Sequence, residues 1–97
     1  MDTNIYLSTL YDYYGELLTD KQKIYFESYY FDNLSLQEIA ENEDVSRNAV
    51  SKTLMAITEK LNYYEDKLHL YKNSKKINEL IKDIKDEKLK ERINELI

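Results

Sequence analysis

Arg47, Asn48, Ser51 and Lys52 fall within two turns of one another if the chain around them is helical, and together they offer a particular chemistry. Two cations can meet phosphate oxygens or the acceptor edge of a guanine, an amide can pair with a base edge, and a hydroxyl can do either. Ser46, immediately before them, is a residue that caps helix starts. A second cluster lies further on. Lys67, Lys72, Lys75 and Lys76 stand with His69 in a ten-residue stretch that holds no acidic residue, a pattern suited to phosphate contact. Each cluster also has a plainer reading. Any solvated helix carries polar residues, and cations near a helix end favour the helix dipole.

The element that would position the first cluster is Ser35 to Leu54, SLQEIAENEDVSRNAVSKTL. Ser35 with Glu38 forms an S-x-x-E capping box, and Ile39 with Ala40 provides a small apolar face where two helices cross closely. Glu43 and Asp44 make the turn, Val45 plugs the junction, and Ser46 caps a second helix. Its inner face reads Val50, Leu54, Ile57 and Leu61. Projected at roughly 100° per residue, Asn48, Ser51, Lys52 and Met55 fall on the opposite, outer side. This spacing predicts a helix-turn-helix whose second helix presents those residues. The inward series continues through Tyr64, Leu68 and Tyr71, which predicts a helix running to about residue 71. Its distal apolar stripe then needs covering by the C-terminal segment and by a second copy of the chain.

Upstream, apolar residues at Leu7, Leu10, Tyr11, Tyr14, Leu17 and Leu18 mark an amphipathic helix that Gly15 loosens near its end. Thr19 with Gln22 opens another helix bearing Ile24, Tyr25, Phe26, Tyr29, Tyr30 and Phe31, ended by Asp32 and Asn33. Most of the ten tyrosines sit in this acidic half at helical spacing, where core packing is the expected role. Tyr63, Tyr64 and Tyr71 lie in the basic half and are the candidates for stacking on bases. The tail repeats INELI at residues 77–81 and 93–97, and the slip in apolar phase between them predicts two short helices broken near Asp86.

Composition narrows the class. Ninety-seven residues make one modest domain, and a chain with no Pro, no Cys and one Gly is expected to be all-α. No apolar run approaches a membrane span of roughly 20 residues, and the acidic start lacks the features of a signal peptide, so the expected setting is cytoplasmic. A single histidine and no cysteine argue against a transition-metal site. There is no Gly-rich phosphate loop, no His-Glu-x-x-His and no nucleophile with a base in context, so neither an enzyme nor a bound cofactor is expected. The net charge of -5 runs against duplex binding, but it is unevenly spread. Residues 1–45 carry 2 basic and 10 acidic side chains, whereas residues 46–97 carry 12 basic and 9 acidic. An anionic partner would meet the second half.

A set of residues carries a family resemblance: Leu17-Leu18-Thr19 with Lys21-Gln22, Tyr29-Tyr30, Asp32, Leu34-Ser35-Leu36, Glu38-Ile39-Ala40-Glu41, Val45-Ser46-Arg47, Ala49-Val50, and Tyr64-Glu65 with Lys67-Leu68. Over about residues 5–72 the chain resembles the bacterial YlxM family, small helix-turn-helix proteins similar to region 4 of sigma factors and typically encoded beside the signal recognition particle GTPase. The resemblance implies an all-α, dimeric accessory or regulatory factor of the signal recognition particle pathway that acts on its RNA or protein components. The chain departs from the pattern at Asp44, where Gly is common, at Asn48, where Gln is common, and at Leu54-Met55-Ala56-Ile57, where relatives are more polar.

The resulting expectation is a small helical domain built around a sigma-region-4-like helix-turn-helix over residues 1–72, with a C-terminal helical extension over 73–97. Its nucleic-acid contacts would be Ser46, Arg47, Asn48, Ser51, Lys52, Lys67, Lys72, Lys75 and Lys76. The nucleic acid would be the signal recognition particle RNA or duplex DNA, bound by a homodimer. Two alternatives stay open: a protein-interaction module that binds a signal recognition particle GTPase, and a dimeric duplex-DNA regulator.

Overall fold

The helix starts follow from side chains that satisfy their first free amides. In the computed structural model, which describes residues 2–97, Asp2 accepts the Asn4 amide at the head of α1 (Thr3–Tyr14). Gly15–Leu17 tightens into a single 3-10 turn at the position where the glycine loosens the helix. Complete capping boxes open α2 (Asp20–Tyr30) through Thr19 with Gln22 and α3 (Leu36–Glu43) through Ser35 with Glu38. Ser46 accepts the Ala49 amide to begin α4 (Arg47–Leu68), and Asp86 accepts the Leu89 amide to begin α6 (Glu87–Asn94). Only α5 (Leu70–Ile81) starts without a cap from its own neighbouring residue, His69. The fold is all-α, and the described residues contain no strand.

α4 is the axis of the molecule. Twenty-two residues at 1.5 Å each give a rod of about 33 Å, and α1, α2 and α3 all pack against it. The chain is accordingly elongated, 54 × 25 × 24 Å. Val50, Leu54, Ile57 and Leu61 form one buried stripe that meets Leu7, Leu10, Tyr14, Leu18, Tyr25, Phe26, Ile39 and Ala40. Between α1 and α2 the Tyr11 and Phe26 rings stack at 4.4 Å, and the Tyr11 hydroxyl donates to Glu27. Burial, and then that bond to a carboxylate, push the Tyr11 hydroxyl up to about 12.

The structure corrects several expectations. α4 stops at Leu68, short of residue 71, because His69 adopts the left-handed conformation with φ 56° and turns the chain. Leu68 is half exposed, and the buried residue of that last turn is Glu65, at 8% exposure. α1 packs along α4 within the same chain, and Leu61 is fully buried. Leu17, Ile24 and Phe31, expected on inner faces, are exposed. Short helices carry two apolar arcs here, and only one can face α4.

Glu65 is buried because it does the capping that His69 does not. Its Oε1 accepts from the Tyr14 hydroxyl at 2.6 Å and from the Tyr71 amide at 3.1 Å, while Oε2 accepts from the Lys72 amide at 3.0 Å. The Leu70 amide donates to the Tyr14 hydroxyl oxygen at 3.0 Å. Three free amides of α5 are thus bonded by side chains from α4 and α1, and a buried carboxylate at a positive helix start is favourably placed. Beyond this joint α5 and α6 form a hairpin in which Ile81 is buried and Ile77, Ile84 and Ile93 are half-buried. α5 crosses residue 72, so the expected division between residues 72 and 73 falls inside a helix.

Two outcomes follow from the joint. Replacing Glu65 with Ala should cost about 2–4 kcal/mol of stability, because bonds to a charged acceptor are worth more than neutral ones and their buried donors are left unpaired; urea unfolding followed by circular dichroism measures it. Burial, together with the bond to Glu65, pushes the Tyr14 hydroxyl from 10.0 up to about 12. The folded state therefore holds a proton that the unfolded chain releases near pH 10, and stability should fall as pH rises from 10 toward 12. Thermal melts across that window should be less pH-dependent in Tyr14→Phe.

Candidate nucleic-acid interface

The turn between α3 and α4 is held by two features that the sequence supplies locally. Asp44 adopts φ 55°, ψ 48°, and its amide donates back to the carbonyls of Ala40 and Glu41. Aspartate tolerates this left-handed geometry better than most residues, which is how the turn forms without glycine. The Val45 amide donates to the Ala40 carbonyl at 3.0 Å, and its side chain packs against the core. Ser46 then caps α4 by accepting the Ala49 amide at 3.0 Å.

On this frame Arg47, Asn48 and Lys52 are exposed and Ser51 is partly exposed. Among the described residues neither Arg47 nor Lys52 makes an ion pair, so both charges are available to a ligand. Met55, at 62% exposure, continues the face and adds an apolar contact next to the polar four. Further along the same face come Glu59 and Asp66, at helical spacing from Lys52 and Met55. Two carboxylates therefore close off the distal part of the face to phosphate, and the cationic footprint is confined to the first two turns.

The second cluster is elsewhere. Lys67 lies in the last turn of α4, with its ammonium 5.8 Å from the centre of the Tyr63 ring, about 30 Å along the helix from Arg47. Lys72, Lys75 and Lys76 belong to α5, past the His69 turn, so the basic stretch is bent across two helices. The structure brings Ser46, Arg47, Asn48, Ser51 and Lys52 together and sets Lys67, Lys72, Lys75 and Lys76 apart from them. Of the three candidate stacking tyrosines, Tyr63 is exposed, whereas Tyr64 packs 5.9 Å from the Tyr14 ring and Tyr71 lies 5.9 Å from Tyr6 and 6.2 Å from Tyr13. Among the described residues no group of three or more His, Asp or Glu is placed to hold a metal ion, and no helix is long and apolar enough to cross a membrane.

Sequence reasoning named Glu65 only within the family resemblance and gave it no role; its local signal is an acid in an inward-facing register just before the next helix. It gave no site role to Tyr6 or Leu80, which the fold brings to the lining of one groove.

A capped α3, a left-handed turn and a Ser-capped second helix with its polar face outward define a helix-turn-helix protein. The comparisons agree. The model of the UPF0122 family, described as "Putative helix-turn-helix protein, YlxM / p13 like", matches residues 1–97, and the chain belongs to that family. It is similar to a UPF0122 protein of Caldanaerobacter subterraneus, 42% identical over 85 residues covering 88% of this chain and 73% of the relative. A UPF0122 protein of Ureaplasma urealyticum is 42% identical over 91 residues, 94% of this chain and 92% of the relative. The UPF0122 protein YofM of Lactococcus lactis is 44% identical over 78 residues, 80% of this chain and 70% of the relative.

The turn geometry makes an expectation for stability. Asp44→Gly should be neutral or slightly stabilising, whereas Asp44→Val should cost about 1–2 kcal/mol because a branched Cβ is strained in the left-handed region. Chemical denaturation of the two variants side by side measures the difference.

Proposed function

We propose that the protein binds nucleic acid through the first two turns of α4 and acts as a non-enzymatic accessory or regulatory factor of the signal recognition particle pathway, in the cytoplasm and as a homodimer. The observation that carries the binding is the outward face of Arg47, Asn48, Ser51 and Lys52 on a Ser46-capped helix, with two cations that have no ion-pair partner among the described residues. The pathway assignment is supported by the resemblance to the YlxM family. Pairing of two chains is supported by the exposed Leu89 and Leu96 of the C-terminal region, the latter 84% exposed. The particle's RNA is favoured over a long duplex because Glu59 and Asp66 shorten the cationic footprint.

A second reading rests on the acidic first half. Residues 1–45 would then meet a basic protein such as a signal recognition particle GTPase, and the helix-turn-helix would serve as scaffold.

Fluorescence-anisotropy titrations against the particle's RNA, a mixed-sequence DNA duplex and the labelled GTPase separate these readings. The combined Arg47→Ala and Lys52→Ala variant should weaken RNA binding and flatten its salt dependence by about 0.7–0.9 in logarithmic slope for each lost phosphate contact. Undiminished RNA binding by that variant would refute the recognition-helix assignment. Binding to the GTPase alone would favour the second reading.

A further inference from the structure

A large groove lies far from the recognition face. It is an open groove of about 670 Å³ between α1 and α5, lined by Tyr6, Glu65, Tyr71, Lys72, Lys75, Lys76, Glu79 and Leu80. Its apolar lining comes from the Tyr6 and Tyr71 rings, which pack edge to face at 5.9 Å, and from Leu80, which is 75% exposed and so has almost no cover of its own.

The charges around this lining do not cancel. Glu65 is committed to the Tyr14 hydroxyl and the amides of Tyr71 and Lys72. Glu79 is committed to Lys82, with both carboxylate oxygens 3.3 Å from its ammonium. Lys72, Lys75 and Lys76 have no ion pair among the described residues. Both carboxylates of the groove are thus engaged within the chain, while its three ammonium groups are left to an outside partner.

We propose that this groove docks an acidic amphipathic helix of a partner protein, whose apolar side chains cover Tyr6, Tyr71 and Leu80 and whose carboxylates meet Lys72, Lys75 and Lys76. Helix-in-groove recognition reads apolar anchors at i, i+3, i+4 and i+7, and the stretch from Lys72 to Leu80 spans about 12 Å, room for two such turns. A nucleic acid fits less well. The groove's polar groups free for a partner are ammonium groups, which meet a phosphate as readily as a carboxylate but do not by themselves explain the apolar lining, and the exposed Leu80 would face sugar and phosphate. The groove lies at the far end of α4 from Arg47 and does not depend on the nucleic-acid reading.

The test uses the full chain and three probes: a fluorescein-labelled 14-residue helical peptide with leucines at i, i+3, i+4 and i+7 flanked by glutamates, the same peptide with lysines for glutamates, and a mixed-sequence single-stranded RNA. Saturable, salt-sensitive binding of the acidic peptide is expected, weakened at least tenfold by the combined K72E and K76E and, separately, by Leu80→Ser. It should be unchanged by Arg47→Ala with Lys52→Ala, so failure here and failure of the nucleic-acid reading are distinguishable. All substituted side chains are exposed, and circular dichroism checks that each variant is folded. The proposal is overturned if the acidic peptide does not bind, if the lysine peptide binds equally, or if K72E with K76E abolishes RNA binding and leaves peptide binding intact. It is also overturned if Leu80→Ser converts a sedimenting dimer to monomer while the peptide never binds, for then a second copy fills the groove.

Discussion

One carboxylate holds the two ends of this molecule in register. Glu65 closes the last full turn of α4, accepts a hydrogen bond from the Tyr14 hydroxyl of α1, and accepts two more from amides in the first turn of α5. A helix start without its own cap leaves several donors to be satisfied, and leaving them buried and unmet would cost more than the bonds gain. Solving that problem with a residue from the preceding helix fixes the angle between α4 and α5, and with it the groove between α1 and α5. The left-handed His69 provides the bend, and Glu65 with Tyr14 selects one bend among those the backbone allows.

The two candidate surfaces inherit opposite designs from this layout. At the N-terminal end of α4 a short polar and cationic face is carried on a capped helix with an apolar Met55 at its edge. At the other end an aromatic and aliphatic lining is flanked by lysines. Glu59 and Asp66 lie on the α4 face between them, so a single polyanion laid along the helix would meet repulsion midway. Net acidity of the whole chain is compatible with both surfaces, because cations are concentrated where carboxylates are absent or already bonded.

What could be read from the sequence was what depends on near neighbours. The capping boxes at Thr19 and Ser35, the caps at Ser46 and Asp86, and the left-handed turn at Asp44 each involve residues two to four apart, and all are present. The inner face of Val50, Leu54, Ile57 and Leu61 was equally legible, because its period is the period of the helix. The end of α4 was not, since histidine is an uncommon left-handed residue and the apolar pattern runs on through Leu68. Burial of Glu65 depends on Tyr14, fifty-one positions away. Periodicity also could not say that Leu17 and Ile24 are about half exposed, or that Phe31 is nearly so while its ring packs edge-on against Tyr11 and Phe26. The basic stretch was visible as a run of lysines, yet its division between two helices follows from a single backbone dihedral.

α6 contributes no buried residue, and its neighbour α5 contributes only Ser74 and Ile81. Local opening in proteins begins where few apolar contacts must be broken, so amide exchange should proceed upward from the C-terminal hairpin and reach α4 last. The molecule thus carries a gradient of local stability along its length. The recognition turns grow out of its most persistent helix, while the groove is walled on one side by α5 of the least persistent pair, so a ligand there would lend order to a segment that the rest of the fold leaves loosely held.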